Sequence, residues 1–63
     1  MDADIAGALA QIESSWKAFE YNGEPMTKNQ VKHVLEYGIE LGYTVVSQLT
    51  DVDIKIALKR SEY

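Results

Sequence analysis

The sequence predicts an all-α fold: a small protomer of three helices over about residues 3–20, 28–41 and 51–60. Three observations carry this expectation. Apolar residues recur at steps of three and four along the first two stretches. Thr27 and Thr50 each precede, by three residues, a side chain able to reach back and cap a helix start, Gln30 and Asp53. Gly42 stands where the second helix would end in a left-handed residue. The alternative left open is an α+β fold with residues 52–58 as a strand.

In the first stretch Ile5, Leu9, Ile12, Trp16 and Phe19 form a narrow apolar seam of the kind that pairs with another helix. Asp2 or Asp4 can cap this helix, and either suits the positive end of its dipole. Ala6, Ala8 and Ala10 favour the helix and permit close approach. Glu13 and Lys17 fall at i,i+4 on its wet side. The segment is expected to run from about Ala3 to Ala18 and to end near Tyr21.

Asn22-Gly23 is a strong hairpin signal, and a two-residue loop there would set Phe19 opposite Met26 and Tyr21 opposite Glu24. Pro25 has no N–H to offer a ladder, so a hairpin near 19–26 would be a stub. The favoured expectation is a turn through Asn22-Gly23-Glu24-Pro25 after the helix.

The second helix is the most fully specified. Thr27 and Gln30 form a capping box, and Met26 and Val31 a hydrophobic staple. Val31, Val34, Leu35, Gly38 and Ile39 share one face. Gly38 costs about 1 kcal/mol there relative to alanine, so it implies close contact with another helix, with Trp16 as the expected neighbour. Tyr43 to Ser47 reads as a turn of helix or an extended link. Over 51–60 two signals conflict. Val52, Ile54, Ile56 and Leu58 alternate as in a strand, whereas Thr50 and Asp53 cap and Ala57, Leu58, Lys59 and Arg60 favour helix. Helix is preferred, and it would set Val52 and Ile56 roughly opposite Ile54, Ala57 and Leu58.

Size constrains the rest. Sixty-three residues make one domain, 1–63, and a chain of that size is marginally stable alone. It has no cysteine and one histidine, so neither disulfides nor a structural zinc can reinforce it. Self-association is the remaining common route to further burial. The net charge is −4, and the excess lies before Thr27, where Asp2, Asp4, Glu13, Glu20 and Glu24 outweigh Lys17. Such acidity disfavours nucleic acid and suits a basic protein partner. No apolar run approaches the roughly 18 residues of a membrane span, and Met1-Asp2-Ala3-Asp4 is unlike a secretory leader. A soluble, cytoplasmic protein is expected.

Chemistry is sparsely signposted. Ser14 and Ser15 have no evident base, no Gly-rich phosphate loop occurs, and so short a chain has little depth for a catalytic pocket. An enzyme is not expected, and neither is a cofactor. His33, Glu36 and Glu40 share a helix face, but that face is opposite the apolar stripe and reads as solvated rather than as a metal site.

Three binding readings remain. The favoured one is a non-enzymatic module, a small acidic homo-oligomer that regulates or inhibits a protein partner. Its interface candidates are Ile5, Leu9, Ile12, Tyr37, Tyr43, Val52 and Ile56. The second is an oligomer sequestering a small anionic, phosphate-bearing ligand such as a nucleotide at the helix start. Thr27, Lys28 and Lys32 would hold it, with Trp16 and Tyr21 as an aromatic wall. The third is a helix-turn-helix dimer over Tyr43 to Arg60 that meets phosphates through Lys55, Lys59 and Arg60. Tyr63 completes the aromatic set.

Overall fold

The computed structural model describes residues 3–62. Met1, Asp2 and Tyr63 lie outside them, so the alternative cap at Asp2 and the aromatic role of Tyr63 do too. The order of elements is α1 (Ile5–Ala10), α2 (Ile12–Ser15), a 3₁₀ turn (Trp16–Ala18), β1 (Glu20–Tyr21), β2 (Glu24–Pro25), α3 (Lys28–Glu40), a second 3₁₀ turn (Val46–Gln48) and α4 (Asp51–Arg60). The protein is mostly helical, with one two-stranded antiparallel sheet.

The first helix starts as expected. Asp4 caps it, its carboxylate accepting the Gly7 N–H at 2.8 Å. It then breaks at Gln11, and this corrects the expected continuous helix over 3–20. The serines supply the physical reason. In an unbroken helix the Ala8 carbonyl would accept the N–H of Ile12; here it accepts the Ser15 hydroxyl at 2.7 Å. Ser14 likewise donates to the Gln11 carbonyl at 3.3 Å. The chain then tightens into its 3₁₀ turn, so Ile12, Trp16 and Phe19 pack on the core without forming a straight seam.

A hairpin stub follows instead of the expected turn after a helix. Glu20 pairs with Pro25 and Tyr21 with Glu24, and the Met26 N–H reaches the Phe19 carbonyl at 3.3 Å. Asn22 and Gly23 take φ of 54° and 80°, the two positive values that a type I′ turn requires.

α3 has the ends its residues prescribe. Thr27 accepts the Gln30 N–H at 3.2 Å, and the Gln30 side chain accepts the Thr27 N–H at 2.9 Å. At the far end Gly42, with φ of 85°, donates to Ile39 and Tyr43 donates to Gly38, both at 2.9 Å. This pair of bonds is a Schellman motif. The segment after it is extended: Ile5 donates to Thr44 and Val46 to Ala3, each at 2.9 Å, which straps the start of the chain to the α3–α4 link.

Residues 51–60 are helical. Thr50 accepts the Asp53 N–H at 3.2 Å, and the Asp53 carboxylate accepts the Thr50 N–H at 3.1 Å. The cap outweighs the alternating pattern, so the strand over 52–58 is not what forms. Asn29 at the start of α3 donates to the Ser61 carbonyl just past α4 at 3.1 Å.

The core is small. Ile5, Met26, Val31, Val34, Leu35 and Ala57 are buried, with α3 at the centre and α1 and α4 against it. Both halves of the hydrophobic staple belong to it. Gly38 makes its close approach to Ile5 and Leu49 and not to Trp16. Ile39, expected on the apolar face, is 45% exposed at its edge.

Candidate functional site

α4 is amphipathic in the sense its residues imply. Ala57 is buried, Ile54 and Leu58 pack against the core, and on the far side Val52 is 63% and Ile56 37% exposed. Lys55, Lys59 and Asp51 stand exposed beside those two aliphatic side chains. This outer face is the clearest candidate surface, because large aliphatic groups in water on a helix that already buries its other side gain from being covered.

The start of α4 is fixed by two tyrosines, an arrangement the sequence reading did not find. Tyr21, from the hairpin, donates its hydroxyl to Asp51. Tyr43, from the α3–α4 link, donates to Asp53 at 3.0 Å. Each carboxylate holds its tyrosine above the ordinary range, first by accepting the hydrogen bond and then through desolvation and like charge. The tyrosine hydroxyl and Lys55, 3.1 Å away, hold Asp51 below the usual carboxylate range. Asp53 is lowered chiefly by the Thr50 N–H, and Lys55 is raised by Asp51. The two tyrosines lie 22 residues apart and meet carboxylates spaced i,i+2. Only the fold brings them together; the one local hint was the acidic start of α4.

The candidate anion site is dispersed. Thr27 spends its hydroxyl in the capping box, and the Lys28 ammonium pairs with Glu13. Glu13 was expected to pair with Lys17, whose ammonium instead stands 5.9 Å from the Trp16 ring centroid. Lys32 is exposed, and Tyr21 is directed to Asp51. Among the basic residues of the helix-turn-helix reading, Lys55 pairs with Asp51, and Arg60 lies 4.7 Å over the Tyr37 ring and reaches Glu40 at 3.3 Å.

Of the interface candidates, Ile5 is fully buried beneath α3, which corrects its assignment to an outer surface. Leu9 and Ile12 are half-buried against the core, Tyr37 lies under Arg60, and Tyr43 is bonded to Asp53. Val52 and Ile56 remain open. Leu41, 41% exposed, and Ile39 are exposed aliphatics that the sequence reading did not name as surface residues.

His33 Nδ1 lies 2.8 Å from the Asn29 carbonyl, and Glu40 pairs with Arg60. Among the described residues no three His, Asp or Glu side chains converge where a metal ion could sit. A cleft of about 200 Å³ opens between Ala3, Ala18, Phe19, Glu20 and Val46. No helix of the described residues is long and apolar enough to cross a membrane.

The arrangement is that of a small, mostly helical domain with an apolar patch on the outside of its last helix. No protein-family model, curated protein or solved structure matches the chain.

Proposed function

We propose that this chain is a non-enzymatic binding module: a small acidic homo-oligomer that regulates or inhibits a protein partner. The single observation behind this reading is the exposure of Val52 and Ile56 on a helix whose opposite side is buried. Six buried hydrophobic side chains among the described residues are a small core for a chain without disulfides, and covering α4 would add apolar burial worth about 25 cal/mol for each Å² removed from water. The partner side is the acidic one. Asp4, Glu20 and Glu24 are exposed on the N-terminal half, and no ion pair engages them among the described residues. A basic surface would complement them.

Light scattering of the purified chain across concentration tests the reading. The expected result is a native mass above 7.1 kDa that falls back to 7.1 kDa in the Val52→Lys variant. In cell extract the protein is expected in a larger, salt-sensitive complex that Glu20→Lys/Glu24→Lys disrupts. A chain that stays at 7.1 kDa even when concentrated overturns the proposal.

A further inference from the structure

Resting on the oligomer reading just given, we infer that the occupant of the α4 outer face is the α4 of a second copy, reversed about a two-fold axis near residue 54. Val52 of each copy then packs on Ile56 of the other. The argument comes from how charge is arranged along this helix. Its start carries Asp51 and Asp53, and its end carries Lys59 and Arg60. Two such helices side by side in the same direction set like charges and parallel dipoles together. Reversed, they oppose unlike ends and cancel the dipoles.

The register follows from residue spacing. Val52 and Ile56 are the exposed aliphatic residues of α4, four residues or about 6 Å apart along its axis. A reversal that exchanges them centres on residue 54. The same reversal carries Asp51 to the level of position 57, midway between Lys55 and Lys59. Those two lysines are exposed on the same side of the helix as Val52, whereas residue 57 itself faces the core. Each Asp51 thus stands level with the gap between two lysines of the other copy. Its carboxylate oxygens already accept from Tyr21 and Lys55 of its own chain and retain lone pairs for the second copy. No ion pair engages Lys59 among the described residues, so its ammonium is available. One set of spacings therefore serves the apolar contact and brings each Asp51 near the level of Lys59 of the other copy, while the two Lys55 side chains near the axis are each held by their own Asp51.

One helix pair buries less than the roughly 1,200–2,000 Å² of a standard stable interface, so the dimer is a weak one, populated at high protein concentration.

The chain has no cysteine, so single-cysteine variants report the register directly. Val52→Cys and Ile56→Cys both alter exposed positions and leave the core untouched. When the two variants are mixed in equal amounts and oxidised, the mixed disulfide is expected to exceed both self-linked products together. Two Val52→Cys side chains sit staggered along the axis, beyond the reach of a relaxed bridge. Lys55→Glu/Lys59→Glu surrounds Asp51 with carboxylates and is expected to weaken the dimer at least about tenfold. If the native mass doubles but the mixed disulfide forms at no more than the statistical half, this register is wrong and the oligomer reading stands. If the mass stays at 7.1 kDa, both fall.

Discussion

A methyl group placed on Gly38 would lie 2.9 Å from Cδ1 of Ile5, closer than packed carbons tolerate without movement, and would touch Leu49 at 3.4 Å. α1 therefore reaches α3 over bare backbone, and Ile5 is fully buried as a result. Gly38→Ala recovers about 1 kcal/mol of helix propensity but incurs overpacking of about 1–3 kcal/mol, so a net loss of stability is expected. Ile5→Val removes the carbon that the new methyl meets and costs about 0.5–1.5 kcal/mol alone. The double variant should be more stable than the sum of the single losses implies, by at least about 0.5 kcal/mol in urea titrations. Simple additivity would show that this contact does not set the spacing of the two helices.

The parts of this fold that could be read in advance are those written in adjacent residues. The α3 capping box, its Schellman ending and the cap that makes 51–60 a helix each need only four to six consecutive side chains. The register of the Asn22-Gly23 stub was legible for the same reason. The break at Gln11 was not. Ile5 to Phe19 keep helical spacing throughout, and what divides them is a serine hydroxyl capturing a carbonyl seven residues back. Nor could sequence separation reveal that Tyr21 and Tyr43 converge on α4, or that Glu13 would leave Lys17 for Lys28. Opposing faces of α4 were legible from its period, so the proposed surface rests on Val52 and Ile56, while Ile5 was lost to the core.

Gly23 tests the turn in isolation. Its φ is 80°, and nothing stands within 4 Å of where a side chain would begin, so Gly23→Ala meets no steric obstacle beyond its own backbone. The expected cost is about 1–2 kcal/mol, the penalty of an L-residue in the left-handed region. Asn22→Gly, with φ of 54°, keeps a permitted conformation and should change stability by less than about 1 kcal/mol. Equal effects from the two variants in thermal melts would contradict the type I′ assignment.

The tyrosine–carboxylate bonds predict a stability plateau with two edges. Asp51 and Asp53 titrate below their unfolded value near 4, so their contribution is present above that pH and is lost as acid carries them through the lower folded value. Tyr21 and Tyr43 titrate above their unfolded value near 10, so their contribution is present below pH 10 and is lost as base deprotonates them. Denaturation midpoints should hold steady between about pH 4 and 10 and fall outside that window. Tyr21→Phe/Tyr43→Phe removes both donors. It should soften the acid edge, abolish the share of the alkaline edge due to these two hydroxyls, and hasten amide exchange in the hairpin. An unchanged profile in that variant would mean the bonds do not persist in solution.

Val52 and Ala57 lie five residues apart on α4 yet face opposite ways, the first 63% exposed and the second 1%. Val52→Lys moves a charged group into a place already open to water, so at low concentration the unfolding free energy should change by no more than about 0.5 kcal/mol. Ala57→Leu forces three added carbons into a site packed against the core and should cost about 1–3 kcal/mol or more. At high concentration the order of interest reverses. Val52→Lys should then lose the concentration-dependent stabilisation that a self-associating native state gains by mass action, while Ala57→Leu should keep it. Comparing urea midpoints of both variants at two protein concentrations separates the inward face, which holds the protomer together, from the outward one, which is proposed to meet a second copy. If Val52→Lys destabilised the dilute chain as much as Ala57→Leu does, the outer face of α4 would belong to the core and could not serve as a binding surface.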